Sequence, residues 1–241
     1  MTTNTTSPLP VRATKVVVVG TGYVGLTTGS CLAHLGTRVV CCDIDRRKID
    51  LLNDGVLPIV EHGLADIVAP LQRDGRLSFE LGCDPAVRDA DVVFLCVPTP
   101  QDEDGSADLT YVRAAAAEIG PMLRPGAVVV NKSTVPVGSF GVVAEALGRP
   151  DVHVVSNPEF LREGSAVHDC LNPDRVVIGA DSDDAAQLVA SLYASLDTEI
   201  VFTDPASAEL IKYAANGFLA MKISFINSVA ALCEHVGADV A

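Results

Sequence analysis

The stretch KVVVVGTGYVGLTTGSCLAHLG, residues 15–36, constrains the fold more than any other part of the chain. Four consecutive valines before a glycine read as a strand buried on both faces. Beyond the glycines, Leu26, Cys31, Leu32 and Leu35 give a helical stripe that stops at Gly36. TRVVCCDID follows as a second strand and DRRKIDLLNDG as a second helix, completing a βαβ unit. The alternation continues with ADVVFLCVPTP, DLTYVRAAAAEIGPML, GAVVVNKSTVPVGS and SFGVVAEALG. After these, DVHVVSNPEF, DRVVIGA and TEIVFT read as strands, with SDDAAQLVASLYASL as a helix between the last two. Such an order predicts an α/β fold with a doubly wound, mostly parallel sheet. Ligands of such sheets bind at the carboxyl ends of the strands.

Within GTGYVG, Gly20, Gly22 and Gly25 have the GxGxxG spacing between strand and helix. The first glycine permits a tight turn, the second lets the backbone approach a pyrophosphate, and the third lets helix and strand pack closely. Asp43 ends the second strand, 23 residues beyond Gly20. A carboxylate there accepts hydrogen bonds from ribose hydroxyls and repels a 2′-phosphate, which favours NAD over NADP. Arg46, Arg47 and Lys48 follow it and complicate that charge argument.

Three later loops carry polar groups at strand ends. In CVPTP, Thr99 stands between two prolines, which either fix its hydroxyl against a cofactor or make a plain rigid turn. In NKSTVPVGS, Ser133 and Thr134 either hold a water or nicotinamide group or cap the next helix. In SNPEFLREGSAVHDCLNPDR, Glu159 and Glu163 bracket Arg162, and a helical turn would put both glutamates on one face. That cluster can orient a water or accept a proton, or be a surface ion-pair group.

Composition narrows the function classes. A formal charge of −14, with no cluster of Lys and Arg interleaved with aromatics, argues against nucleic acid and anionic membranes as partners. Seven cysteines without CxxC spacing and five histidines without shared spacing indicate neither a metal site nor a disulfide framework. Free thiols inside apolar strands suit a reducing cytoplasm, and no signal-peptide pattern opens the chain. No GxSxG elbow supports a hydrolase.

Taken in order, GTGYVGLTTGSCLAHLG, CCDID, PIVEHGL, CVPTP, KSTVPVGS, NPEFLREGSAVHDCLNPDRVVIG and AELIKYAANGFLAMKISFINS resemble the UDP-glucose/GDP-mannose dehydrogenases, within them most closely the bacterial UDP-glucose 6-dehydrogenases. The resemblance covers nearly everything from Lys15 onward. It implies a Rossmann-type domain over 15–205 after a flexible tail of 1–14, and over 206–241 a long helix that begins a central, dimerising helical domain. It implies oxidation of UDP-glucose at C6 to UDP-glucuronate with two NAD in succession, in a protein that is a homodimer at full length. GDP-mannose and UDP-N-acetylhexosamines are the alternative substrates, and a noncatalytic NAD-binding module is the alternative of another class.

By motif position, the resemblance gives cofactor contacts to Gly20, Gly22, Tyr23, Val24, Gly25, Asp43, Lys48, Thr99, Thr134 and Glu163. It gives substrate contacts to Glu159, Phe160, Leu161, Arg162, Lys212 and Asn216. Glu159 is implied as the acid/base or water-activating group, Thr134 as the residue placing the water, and Lys212 with Asn216 as donors to the oxyanion at C6. The family's nucleophilic cysteine sits in a CFPKD-like motif that none of the seven cysteines matches. The carboxyl-terminal UDP-sugar-binding domain is likewise not represented, so this chain is expected to bind NAD and to turn over poorly or not at all by itself.

The helix from 208 to 228 has three readings. From Tyr213 to Cys233 it is long enough to cross a bilayer, but Lys222, Asn216 and Asn227 make that costly. A core helix explains Leu210, Ile211, Phe218, Leu219, Ile223 and Ile226 but not a buried Lys212 and Asn216 one turn apart. A chemical role explains the pair, because side chains at i and i+4 share a face.

Overall fold

The computed structural model describes residues 14–240, so nearly all of the proposed 1–14 tail lies outside the described residues, as does residue 241. The first strand is β1 (Lys15–Val19), followed by α1 (Tyr23–His34) and β2 (Arg38–Asp43). Next come α2 (Arg46–Asn53), α3 (Leu64–Arg73), β3 (Leu77–Leu81), α4 (Asp84–Arg88) and β4 (Val92–Leu95). The chain continues through α5 (Thr110–Ile119), β5 (Val128–Asn131), α6 (Ser139–Leu147), β6 (His153–Ser156) and α7 (Ala166–Leu171). It ends with β7 (Arg175–Ala180), α8 (Asp183–Ser191), β8 (Glu199–Thr203) and the long α9 (Pro205–Val236). The sequence reading passed over β3, α3 and α4: RLSFELG is short and mixes polar residues into the strand, as an edge strand can.

The strand order is β3-β2-β1-β4-β5-β6-β7-β8. All pairs are parallel except β6 with β7. The chain reverses direction across the sheet between β1 and β4, which opens a crevice at their carboxyl ends. Period-two alternation divides the core into two layers: Val16 and Val18 join Leu26, Leu32 and Phe94 on one face, while Val17 joins Val93, Leu95 and Val129 on the other. Burial on both faces is what the run of valines demanded.

The antiparallel junction is short. Only Val155↔Ala180 and Ser156↔Gly179 pair, so β7 overhangs the end of β6 and carries Arg175 beyond it. α9 starts where β8 ends, with Asp204 accepting from the Ser207 amide at 2.9 Å and Pro205 in its first turn. Its first two turns bury Pro205, Ala208, Glu209 and Lys212 against the sheet.

Beyond Lys212 the helix leaves the sheet, and the core-helix expectation fails in this chain. Leu210, Phe218, Leu219, Ile223 and Ile226 are exposed, and Ile211 is only partly covered, because no described element packs against them. The helix is long and apolar enough to cross a membrane by length and composition, and none of that apolar window is buried.

Candidate functional site

Two clefts open at the carboxyl end of the parallel strands. The first, about 590 Å³, is walled by the glycine loop, the end of β2, the loop after β4, α5 and the Ser133–Thr134 turn. Gly20 takes φ +101°, a left-handed conformation, and an ideal Cβ there would stand 2.5 Å from the Cys96 carbonyl oxygen. A Cβ on Gly25 would stand 1.9 Å from the Gly20 carbonyl oxygen, so α1 can approach β1 only with glycine there. A Cβ on Gly22 would meet nothing within 4 Å: the space beside it faces the cleft. No side chain caps α1, so its first amides are available to an anion.

Asp43 stands at the far end of this cleft. Its Oδ2 accepts from the Thr21 amide at 2.8 Å and the Thr21 hydroxyl at 2.7 Å, and the Lys48 ammonium lies 3.8 Å away. Burial disfavours its charge, but the Asp45 and Thr21 amides, the Thr21 hydroxyl and Lys48 outweigh that and hold the carboxyl below its ordinary range. It is therefore an anion at neutral pH and lines the first cleft.

Thr99 donates to the Thr134 carbonyl at 2.9 Å and Ser133 to the Val97 carbonyl at 2.7 Å, which locks the two loops together. Neither Ser133 nor Thr134 caps α6. That end is held by Glu209 of α9, whose carboxylate accepts from the Gly138 and Phe140 amides, both at 2.7 Å.

Gly20, Gly22, Tyr23, Val24, Asp43, Lys48, Thr99 and Thr134 all line the first cleft, and Gly25 stands directly behind it. Glu163 does not line it. It sits exposed in the turn before α7, close enough to Tyr23 for its charge to be felt there. The segment from Asn157 to Arg162 has no regular secondary structure and is not helical, so helical spacing does not put Glu159 and Glu163 on one face. Pro158 disfavours a helical conformation at the residue before it.

The second cleft, about 870 Å³, is lined by Glu159, Phe160, Leu161 and Arg162 on one side and by Arg175 and Ile211 on the other. Phe160 is sandwiched between cations: the Arg175 guanidinium is 4.8 Å and the Lys212 ammonium 5.5 Å from its ring centre. Lys212 donates to Glu159 Oε1 at 2.8 Å, while Glu159 Oε2 accepts from the Leu161 amide at 2.7 Å. The side chains of this pair are only 7% and 11% exposed. Asn216 is exposed and lines neither cleft, so Lys212 and Asn216 do not form the expected clamp in this chain. The helix has already left the sheet at that point, and the Lys212 ammonium is committed to Glu159.

Several polar residues of the site drew no attention in the sequence. Buried Lys132 donates to Asn157 Oδ1 at 3.1 Å, and the Tyr193 hydroxyl donates to the same oxygen at 2.8 Å, fixing the root of the Glu159 loop. Neither amide atom of Asn131 finds a partner among the described residues, and it shares with Thr134, Glu209 and Lys212 a cavity of about 10 Å³, the size of one water. The buried polar character of these positions, inside apolar runs, was the available signal. Their partners came from distant segments and were not.

Arg162 clasps Asp169 through its backbone amide at 3.0 Å, its Nε at 3.0 Å and Nη2 at 2.6 Å. This pairing brings the Asp169 carboxyl down to about 2. A depressed carboxylate contributes stability above its unfolded value, about 3.9, and loses it as pH falls through the folded value. The Arg162 amide resonance is therefore expected to titrate with a midpoint near about 2 in an acid series followed by NMR. A midpoint near the free aspartate value would show that the clasp is absent.

A glycine loop, an acidic residue closing the second strand and a crevice at the strand-order reversal define a Rossmann-type dinucleotide-binding domain. Residues 14–197 match the UDP-glucose/GDP-mannose dehydrogenase family, NAD binding domain, and residues 206–241 match that family's central domain. The chain belongs to the UDP-glucose/GDP-mannose dehydrogenase family, and NAD is the cofactor of its nucleotide domain. It is 52% identical over 231 residues to the UDP-glucose 6-dehydrogenase TuaD of Bacillus subtilis (strain 168), covering 94% of this chain and 50% of that protein. To the UDP-glucose 6-dehydrogenase of Rhizobium meliloti (strain 1021) it is 50% identical over 236 residues, covering 94% of this chain and 54% of that one. Among solved structures, a UDP-glucose dehydrogenase from the hyperthermophilic archaeon Pyrobaculum islandicum superposes with a TM-score of 0.90 at 41% identity, over 97% of this chain and 56% of its own. The chain thus spans about half the length of the curated relatives it matches.

Proposed function

We propose that this chain is the cofactor half of an NAD-dependent UDP-glucose 6-dehydrogenase, which oxidises the C6 alcohol of UDP-glucose to the carboxylate in two NAD-linked steps. The observation that carries the reading is the buried Lys212–Glu159 pair at the wall between the two clefts. It places an ammonium and a carboxylate side by side where an alcohol must lose a proton and an oxyanion must be stabilised. NAD, when bound in the first cleft, supplies the hydride acceptor. Asp43 receives the adenosine ribose, the α1 amides face the pyrophosphate, and Thr134, fixed by Thr99, lies at the reacting end.

In the second cleft, Phe160, Leu161, Arg162 and Arg175 offer an apolar wall and two guanidinium groups to an anionic sugar nucleotide. Asn216, exposed on α9, would reach substrate only with a partner covering that face. The exposed Phe218, Leu219, Ile223 and Ile226 support a second copy of the chain as that cover, giving a homodimer, and Lys222 within this stretch opposes insertion in a membrane. Free cysteines throughout the described residues support a cytoplasmic setting. The nucleotide domain is assigned to 15–205 and α9 is read as the start of a helical domain. Neither Cys83 nor Cys96 suits the thiol step of such a reaction. Burial pushes Cys83 up to about 11 and Cys96 up to about 12, which leaves both as poor nucleophiles.

Calorimetry with NAD and NADP on this chain, and NADH formation from UDP-glucose on a protein that extends to full family length, test the proposal together. Binding of NAD well ahead of NADP and turnover only in the longer protein are expected; rapid turnover by this chain alone would contradict it. Gly22→Ala is a sharp probe, because the added methyl meets no protein atom. Its cost in stability should stay within about 1 kcal/mol, as for other helix-cap changes. NAD affinity should fall at least about tenfold, the equivalent of one lost hydrogen bond. Unchanged affinity would place the pyrophosphate elsewhere.

A further inference from the structure

Glu61 lies in the loop between α2 and α3, lines neither cleft, and is almost fully buried. Its Oε1 accepts from the Ala166 amide at 2.9 Å, and its Oε2 accepts from the Gly164 amide at 2.9 Å and from the Tyr23 hydroxyl. The Tyr23 oxygen also accepts from the Gly164 amide at 3.2 Å and lies 3.2 Å from the Arg162 carbonyl oxygen, so its one proton is shared between that carbonyl and Glu61. Tyr23 belongs to the glycine loop and lines the first cleft, whereas Arg162 lines the second. One carboxylate and one phenol therefore join three segments: the start of α1, the α2–α3 loop and the loop that carries Glu159.

A surface ion pair would not need this arrangement. Four donors converge on the buried carboxylate: the Tyr23 hydroxyl and the amides of Gly164, Ala166 and Val167. Although burial opposes its charge, they hold it below the ordinary carboxylate range. Truncating Glu61 would orphan the Ala166 amide and leave the Gly164 amide only the Tyr23 oxygen at 3.2 Å, in the backbone that follows the Glu159–Arg162 segment. The tie spans both sides, since Tyr23 lines the dinucleotide cleft while its oxygen contacts the neighbouring loop.

We propose that Glu61 is a positioning residue which, through Tyr23, ties the 159–166 loop to the dinucleotide cleft, so that NAD in the first cleft orders the sugar-nucleotide loop of the second. The proposal rests on the reading of the second cleft as the sugar-nucleotide site. It adds that cofactor and substrate bind with linked free energies, and by reciprocity the substrate strengthens NAD binding by the same factor.

Hydrogen exchange of this chain with and without saturating NAD tests it without any turnover. In the wild type, NAD should slow exchange at the glycine-loop amides and also at Gly164 and Ala166, the latter by about tenfold, within the usual range of coupling between sites. Tyr23→Phe keeps both amide bonds to Glu61 but cuts the tie. At NAD saturation, judged by the glycine loop, its Gly164 and Ala166 amides should no longer respond. Glu61→Gln, which keeps Tyr23, should weaken the same response and provides a second variant. Glycine-loop protection without any response at Gly164 and Ala166 in the wild type, or an undiminished response in Tyr23→Phe, overturns the proposal alone. Protection at neither place overturns the cofactor assignment and the coupling with it.

Discussion

Lys212→Met is expected to destabilise the chain by about 3–5 kcal/mol, the loss typical when one partner of a buried ion pair is removed. Glu159 would remain in a site where its side chain is 11% exposed, keeping only the Leu161 amide as a partner for its charge. The double variant Glu159→Gln with Lys212→Met should recover part of that loss, because two neutral side chains carry no unpaired charge. Denaturant unfolding of the two single variants and the double variant measures the coupling directly. If Lys212→Met alone unfolds within about 1 kcal/mol of the wild type, the pair is not the buried contact described above. In a protein of full family length, the same substitution should lower turnover by about 10²–10³-fold, the usual consequence of losing one oxyanion donor. Loss of stability without loss of turnover would separate the structural role of Lys212 from the chemical one.

Gly25→Ala should be the most damaging single methyl in the nucleotide domain. Its Cβ would lie 1.9 Å from the Gly20 carbonyl oxygen and 3.0 Å from the Cys96 Cβ, and the first of these is backbone that no rotamer can move aside. α1 must shift off β1, at a cost at or above the upper end of the about 1–3 kcal/mol common for overpacking. For a domain of this size that corresponds to a fall in melting temperature of about 6–12 °C. The shift also carries the α1 amides away from the first cleft, so NAD binding should weaken together with stability. Gly22→Ala, three residues away, should affect binding without this loss of stability. A scan that finds the two variants equally stable would mean that α1 does not pack on the glycine turn as closely as described.

Much of the fold was legible because its signals are local. The Val16–Val19 run, the GxGxxG spacing and Asp43 each follow from neighbouring residues, and together they mark the first cleft in the sequence alone. Thr99 and Thr134 were placed correctly at strand ends, yet only the structure shows that they bond to each other and that neither Ser133 nor Thr134 caps α6. Glu159 and Glu163 were grouped by spacing. They separate because that spacing unites two side chains only in a helix, and the Asn157–Arg162 segment is not helical.

What the sequence determined by itself was the period of each element and the chemistry of the nucleotide loop, since both rest on interactions within a few residues. Tertiary structure alone decided that Lys212 meets Glu159 rather than Asn216, that Glu209 holds α6, and that Glu61 joins Tyr23 to Gly164. These contacts close loops of 53, 69 and 103 residues. Their partners are chosen by where the sheet places each loop, and by the cost of leaving a buried charge or amide without one.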